Sequence, residues 1–115
     1  MRHQLDKSAT VINAPLTSRR VGDTSWLWYS IEKMPAEKID MVIVDGPPSV
    51  TQRLGRYPAG PLSIRHLASS GIVFLDDTGR TDEKEIIRRW RQEFPDLIER
   101  DHFCEKGCVS LRRTT

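Results

Sequence analysis

Two short apolar runs, each followed by acidic residues, dominate the hydrophobic pattern of this chain. Residues 41–44 are all apolar and are followed by Asp45, and residues 72–75 are followed by Asp76 and Asp77. An aliphatic run with no polar position is typical of a strand that is covered on both faces in a parallel sheet. The pattern therefore predicts two buried strands, each of which ends in acid.

The spacing of the two runs predicts a parallel pair. Asp45 and Asp76 are 31 positions apart, which suits a strand, a crossover helix and a second strand. We place that helix from Pro58 to Ala68, with Gly71 as its stop signal. The two strands are then neighbours with a right-handed connection. Because ligands bind outside the carboxyl ends of such strands, we expect the acidic side chains to converge there.

The segments before the first run predict a less regular structure. The segment Ala9 to Asn13 is predicted to form a short strand that ends before Pro15, because proline cannot donate to a sheet. The aromatic segment Trp26 to Tyr29 follows a loop, and its pattern does not decide between helix and strand. Aromatic clusters of this kind are more often part of a core than a ligand platform.

The residues after Arg80 predict a helix and then a hairpin. Thr81 or Asp82 can cap the helix, and Pro95 closes it. Its apolar positions recur at helical spacing, at Ile86, Ile87, Trp90 and Phe94. Apolar residues that alternate around a turn between residues 97 and 113 predict a terminal antiparallel ribbon.

The composition narrows the class of protein. The 115 residues form one domain at most, residues 1–115, with room for a modest core. With 37% hydrophobic and 30% charged residues, neither disorder nor a membrane protein is indicated. The polar residues after Met1 contain no signal-peptide core, so we expect a cytoplasmic protein. The net charge of +2 is too small to indicate nucleic acid, and no membrane partner is expected.

The two cysteines leave three alternatives. Cys104 and Cys108 flank a predicted hairpin turn, which brings their sulfur atoms near each other. With His102 nearby, the set is one ligand short of a structural zinc site. We favour two free thiols in a reducing compartment over a disulfide or a metal site.

The predicted acidic cluster has two chemical uses and one structural alternative. Converging carboxylates form an oxygen-rich site for Mg²⁺ or another hard cation, and a single carboxylate can act as a general base. Alternatively, an Asp that follows a strand caps the next helix, as Asp45 or Asp77 could do. We favour a functional role for at least one acid, because acidic groups that face one crevice otherwise repel each other.

Other catalytic motifs are incomplete. The segment Gly55 to Gly60 has the outer spacing of a phosphate loop but lacks the Lys and the Ser or Thr that must follow. None of the seven glycines forms a Gly-x-Gly motif. The segment Asp76 to Thr81 resembles the aspartyl-phosphate loop of haloacid dehalogenase-like phosphatases, which implies a nucleophilic Asp76. Thr78 stands where those phosphatases have a second acid.

Four motifs follow one another along the chain: Ile39 to Pro48, Arg56-Tyr57-Pro58, Phe74 to Asp77 with Arg80, and Arg89-Trp90. Together they resemble the later half of a bacterial class I S-adenosylmethionine-dependent methyltransferase. The resemblance implies an incomplete Rossmann-like α/β sheet, mostly parallel, with a C-terminal antiparallel hairpin. It equates residues 9–16 with that fold's third strand, the Asp45 and Asp76 strands with its fourth and fifth, and the hairpin with its sixth and seventh.

The resemblance also implies roles for individual residues. It gives Asp45 a catalytic role next to a small-molecule methyl acceptor, and it implies substrate binding by Pro47, Pro48, Arg56, Tyr57 and Arg80. Catechol-type O-methyltransferases hold a divalent metal with an Asp after strand four and an acid and an amide after strand five. That pattern implies Mg²⁺ bound by Asp45, Asp76 and Asp77, although Asp77 is an acid where the family has an amide.

The cofactor side of the domain is expected to be missing. In the family, S-adenosylmethionine is bound by the first two strands and a glycine loop, which precede strand three, whereas eight residues precede Ala9. The resemblance therefore implies no cofactor-binding residue and no activity from the chain alone. Strands without their neighbours expose apolar edges, which favours self-association. A small aspartate-based phosphoryl-transfer or metal-binding module, or a non-catalytic remnant, remains as an alternative.

Overall fold

The computed structural model describes residues 9–30, 38–48 and 51–114. These residues form a mixed α/β fold with two separate sheets. The elements in chain order are β1 (Leu16–Val21), β2 (Thr24–Tyr29), β3 (Ile39–Val44), α1 (Ala59–Ser63), a 3-10 turn (Ile64–His66), β4 (Leu67–Asp76), α2 (Thr81–Glu93), β5 (Leu97–His102) and β6 (Cys108–Arg113). Among the described residues, no helix has the length and hydrophobicity needed to cross a bilayer.

The larger sheet has the strand order β3-β4-β6-β5. β3 and β4 are parallel, with Val42 opposite Val73 and Val44 opposite Leu75, so the predicted parallel pair is confirmed. α1 and the 3-10 turn lie between these strands in sequence and form the crossover. β6 lies between β4 and β5 and runs antiparallel to both, which confirms the predicted terminal ribbon.

The aromatic segment forms the second strand of a separate hairpin. β1 and β2 are antiparallel and are joined at Gly22, whose φ of +60° suits a residue without a Cβ. Trp26 and Trp28 alternate with exposed residues along β2 and are both buried. The aromatic cluster is therefore part of the core.

The strand predicted over Ala9 to Asn13 is wrong. Residues 9–15 belong to no strand, and Val11 is 93% exposed. The first strand begins after Pro15, where the turn at Gly22 pairs Leu16 with Tyr29. A local turn brings these two segments together and satisfies their backbone groups, whereas no strand among the described residues pairs with the segment before the proline. The described residues therefore contain no counterpart of the expected third strand.

One face of the larger sheet carries the hydrophobic core. Both helices and β2 contribute buried residues to this core, which includes Val44, Val73 and Leu75 of the sheet. On the opposite face, Met41 is 53% exposed and Ile43 is 70% exposed. The prediction of a strand covered on both faces is therefore wrong for β3, because both helices pack on the face that carries Val44.

The crossover helix is shorter than predicted. The predicted helix from Pro58 to Ala68 is divided between α1 and the 3-10 turn, and β4 begins at Leu67. Gly71 lies inside β4, so its predicted role as a helix stop is wrong. A Cβ at Gly71 would lie 2.8 Å from the Ala68 carbonyl oxygen, and the register with β3 shifts at this point. Glycine therefore permits an irregular start to β4.

Helix α2 begins near the predicted position but is not capped as predicted. Arg80 is the N-cap residue, and its side chain makes no capping hydrogen bond. The Asp82 carboxylate instead accepts a hydrogen bond of 3.2 Å from the Leu54 backbone N–H. Asp82 thus connects α2 to the loop before α1, while its charge stays in the first turn, where the helix dipole favours it.

Trp90 of α2 closes the core against α1. Its indole N–H donates a hydrogen bond of 2.9 Å to the Tyr57 carbonyl oxygen, and its side chain is fully buried. A Cβ on Gly60 would overlap the Trp90 indole nitrogen. The approach of the two helices therefore requires glycine at position 60.

We expect Gly60→Ala to destabilise the fold by about 2 kcal/mol, because overpacking a filled core is unfavourable. Helix propensity alone predicts the opposite sign, since alanine is favoured over glycine by about 1 kcal/mol. Urea denaturation measures the difference. Gly22→Ala is the control: it meets no atom within 4 Å and is strained only by its positive φ, at a cost of about 1 kcal/mol. A neutral or stabilising Gly60→Ala would contradict the close contact.

Candidate functional site

Three carboxylates meet at the carboxyl ends of the parallel strands. Asp45 directly follows β3, Asp76 ends β4 and Asp77 comes next. One oxygen from each of the three side chains lies within 4.8 Å of the others. The parallel pairing of β3 and β4 produces this convergence, because it places both carboxyl ends at one edge of the sheet. We call these three residues the acid cluster.

A buried arginine lies within the acid cluster. Arg56 is 5% exposed, and its Nε donates to the Pro47 carbonyl oxygen at 3.3 Å. Its Nη1 donates to the Asp76 carbonyl oxygen at 3.4 Å and to Asp77 Oδ2 at 3.3 Å. Its Nη2 lies 3.8 Å from Asp45 Oδ1. The guanidinium is therefore directed at groups of the chain itself, at both strand ends.

A second arginine extends this network to helix α2. Arg80 Nη2 lies 3.1 Å from Asp77 Oδ2, and Arg80 Nε lies 3.1 Å from Glu83 Oε1. Glu83 is 3% exposed, so a positive neighbour is needed to offset the cost of burying its charge. Acidic and basic groups thus alternate from Asp45 through Arg56 and Asp77 to this buried glutamate.

The loop after β4 is held by the turn between β5 and β6. Asp77 has a φ of +61°, and its carbonyl oxygen accepts a hydrogen bond of 3.1 Å from the Arg80 N–H. The next two N–H groups, of Thr78 and Gly79, donate to the Gly107 and Lys106 carbonyl oxygens at 3.3 and 3.0 Å. The terminal hairpin therefore fixes the loop that carries Asp77.

The two prolines after Asp45 have different environments. Pro47 follows a cis peptide bond and is fully buried, and its carbonyl oxygen is the acceptor for Arg56. Pro48 is exposed. Of the two predicted substrate-binding prolines, only Pro48 thus presents its side chain to solvent.

Tyr57 is held on the surface of α2. Its hydroxyl donates to the Glu93 carboxylate, its ring centroid lies 5.2 Å from that of Trp26, and the Arg89 guanidinium lies 5.8 Å from it. Burial, and then the hydrogen bond to Glu93, raise the pKa of the hydroxyl. Tyr57 therefore stays protonated at neutral pH and uses its donor within the chain.

Several residues of this region were not predicted from sequence. Glu83 and Glu93 are both on α2, where they look like ordinary charged positions of an exposed helix face. For Glu83 the available signal was its spacing of three residues from Arg80, since such pairs are neighbours on a helix. Glu93 had no such signal, because its partner Tyr57 is 36 positions away. The internal role of Arg56 had no local signal, because its partners are distant in sequence.

The acid cluster does not fit a divalent metal well. Its three carboxylate oxygens are the donors that Mg²⁺ prefers. However, Asp77 Oδ2 already accepts from both Arg56 and Arg80, and the Arg56 guanidinium is buried beside the space between the acids. Like charges about 4 Å apart repel by roughly 4 kcal/mol per pair of unit charges near a protein surface. The arginines therefore replace a metal as the counter-charge.

Comparison with known proteins found no match to a family model and no match among curated proteins. The geometry at the sheet edge is therefore the basis for a functional assignment. Asp45 is the member of the acid cluster with most access to solvent, since its side chain is 71% exposed while that of Asp77 is 19% exposed. A ligand approaching this edge meets Asp45 first.

We expect Arg56→Gln to destabilise the fold by about 3 kcal/mol, because it leaves buried carbonyl and carboxylate groups without their cation. Urea denaturation with a linear extrapolation measures the change. Arg88→Gln is the matched control, because Arg88 makes a surface ion pair with Glu85, and exposed pairs of this kind contribute little to stability. Equal effects of the two substitutions would contradict a structural role for Arg56.

We expect no saturable Mg²⁺ binding by the unchanged chain in calorimetry, and measurable binding by Arg56→Gln, because the substitution leaves the three acids without a central cation. Asp96→Asn serves as the control for the loss of one exposed acid. Binding to the unchanged chain that Asp45→Asn abolishes and Asp96→Asn preserves would instead establish a metal site.

Proposed function

We propose that this chain forms the substrate side of a class I S-adenosylmethionine-dependent methyltransferase domain. One observation carries the proposal: the sheet has the order β3-β4-β6-β5, and the acid cluster lies where its parallel strands end. Ligand sites of open α/β sheets lie at this edge. The order of the strands and the position of the acids thus support the same assignment.

The order of the strands matches the resemblance from β3 onward. β3, β4, β5 and β6 correspond to strands four, five, six and seven of a methyltransferase sheet, so the order here is 4-5-7-6. The resemblance implies a mostly parallel sheet that ends in a C-terminal antiparallel hairpin. The antiparallel pairing of β6 with both neighbours agrees with that arrangement. A Rossmann-like architecture is therefore part of the proposal.

Asp45 is assigned the role next to the methyl acceptor. Its carboxylate is largely exposed, and its oxygen lies 3.8 Å from the Arg56 guanidinium. This pair holds the carboxylate near the sheet edge without removing it from solvent. A carboxylate in that position can accept a hydrogen bond, or a proton, from a hydroxyl or amine of a small molecule. Arg56 then acts as a positioning residue for Asp45 and not as a substrate ligand.

The proposal assigns no residue of this chain to the binding of S-adenosylmethionine. Family members bind it with a glycine loop that follows strand one, and none of the seven glycines of this chain forms a Gly-x-Gly motif. Within the described residues, the outer edge of β3 has no paired strand, and strand one pairs with strand four in the family. The open edge lies next to the exposed Met41 and Ile43 side chains, which favours self-association of the isolated chain.

A metal-binding module is the second candidate function. The observation in its favour is the acid cluster, whose oxygens lie within 4.8 Å of one another. The two arginines at the cluster are the observation against it. The Mg²⁺ titration described above tests this candidate, because a metal-binding module requires saturable binding by the unchanged chain.

We expect calorimetric titration of this chain with S-adenosylmethionine to give no binding, because the proposed assignment gives this chain no cofactor-binding residue. Saturable binding of S-adenosylmethionine would contradict the assignment of no cofactor-binding residue to this chain. A non-catalytic remnant also predicts no binding, so the genomic sequence in frame before Met1 provides the second measurement. The methyltransferase proposal predicts an apolar strand and a Gly-x-Gly loop there. Their absence would leave the remnant as the better interpretation.

A further inference from the structure

The turn between β5 and β6 contains both cysteines of the chain. The Gly107 N–H donates to the Cys104 carbonyl oxygen at 3.2 Å and closes the turn. Cys108 begins β6, opposite His102 of β5 and Asp76 of β4. Both thiols are free in the structure, and that of Cys104 is exposed. Two thiols that are four positions apart in sequence are thus neighbours across a tight turn.

This turn is also the support of the loop that carries Asp77. The carbonyl groups of Lys106 and Gly107 accept hydrogen bonds from Gly79 and Thr78. A Cβ at Gly107 would lie 2.6 Å from the Gly79 nitrogen, so the turn and the loop are in close contact. Both carbonyl groups lie between the two cysteines in sequence. A covalent bond between the cysteines would therefore act directly on the support of the loop.

We propose that Cys104 and Cys108 are a thiol modification site, at which a low-molecular-weight disulfide converts the two thiols into a reversible intrachain disulfide that restrains the turn and the Asp77 loop. The proposal does not depend on the methyltransferase assignment. Exposed disulfides that close short turns are more easily reduced than buried structural ones, which suits a reversible role.

The chemistry is a two-step thiol–disulfide exchange. The exposed Cys104 thiol loses its proton and attacks one sulfur of oxidised glutathione, which forms a mixed disulfide and releases one glutathione thiol. Cys108 then loses its proton and attacks the Cys104 sulfur, which releases the second glutathione thiol. The two cysteine thiols are oxidised, the glutathione disulfide is reduced, and the two protons are taken up by the two glutathione thiolates.

The test equilibrates the full chain with glutathione buffers of increasing oxidised fraction, followed by acid quenching, alkylation and mass spectrometry. We expect both thiols to be lost together, with a mass decrease of two hydrogen atoms and no change in oligomeric state. Cys104→Ser and Cys108→Ser are each expected to stop at a single glutathione adduct. A persistent glutathione adduct on the unchanged chain, or a disulfide between two chains, would overturn the proposal.

Amide hydrogen exchange tests the effect on the loop. We expect the Thr78 and Gly79 amides to exchange severalfold more slowly in the oxidised chain than in the reduced chain. The Leu27 amide, which donates to Gln52 far from the turn, is the internal control and is expected to be unchanged. Equal exchange rates of the Thr78 and Gly79 amides in the oxidised and reduced chains would overturn the proposal that the disulfide restrains the Asp77 loop.

Discussion

The hydrogen bonds of the buried Arg56 guanidinium hold together the edge of the sheet at which β3 and β4 end. The guanidinium is bonded to a carbonyl group after β3, to a carbonyl group at the end of β4 and to the Asp77 carboxylate. Without a cation, two strand ends and three acids would meet at one edge, where Asp76 and Asp77 are partly buried and their repulsion is less screened than in open solvent. One side chain thus allows two parallel strands to end in acid at the same edge.

A chain of polar contacts connects this edge of the sheet to both helices. Asp77 connects the edge to α2 through Arg80, and Asp82 connects α2 to the loop before α1. Trp90 then joins α2 to the backbone of Tyr57, which adjoins Arg56. The polar network and the hydrophobic core therefore share their boundary residues. A change in the position of α2 would disturb both.

The sequence predicts the central pair and the terminal hairpin because their signals are local. Apolar runs, their spacing and an alternating ribbon are properties of neighbouring residues, and the structure confirms them. The exposed face of β3 could not be predicted, because an apolar run looks the same whether or not an element covers it. The strand before Pro15 was predicted from composition alone, whereas the actual β1 is selected by a turn seven residues further along. The place of Arg56 depends on partners as far as 21 positions away, which no local pattern contains.

The uncovered face of β3 also affects how the protein responds to temperature. The heat capacity of unfolding is set mainly by the apolar surface that becomes hydrated when the chain unfolds. Met41 and Ile43 are already in contact with water in the folded state, so their contribution to that increase is small. A monomer with this sheet has a smaller heat-capacity increment than a domain with two covered faces, and its stability therefore changes less steeply on either side of its optimum temperature. Covering the face with a partner would restore the curvature.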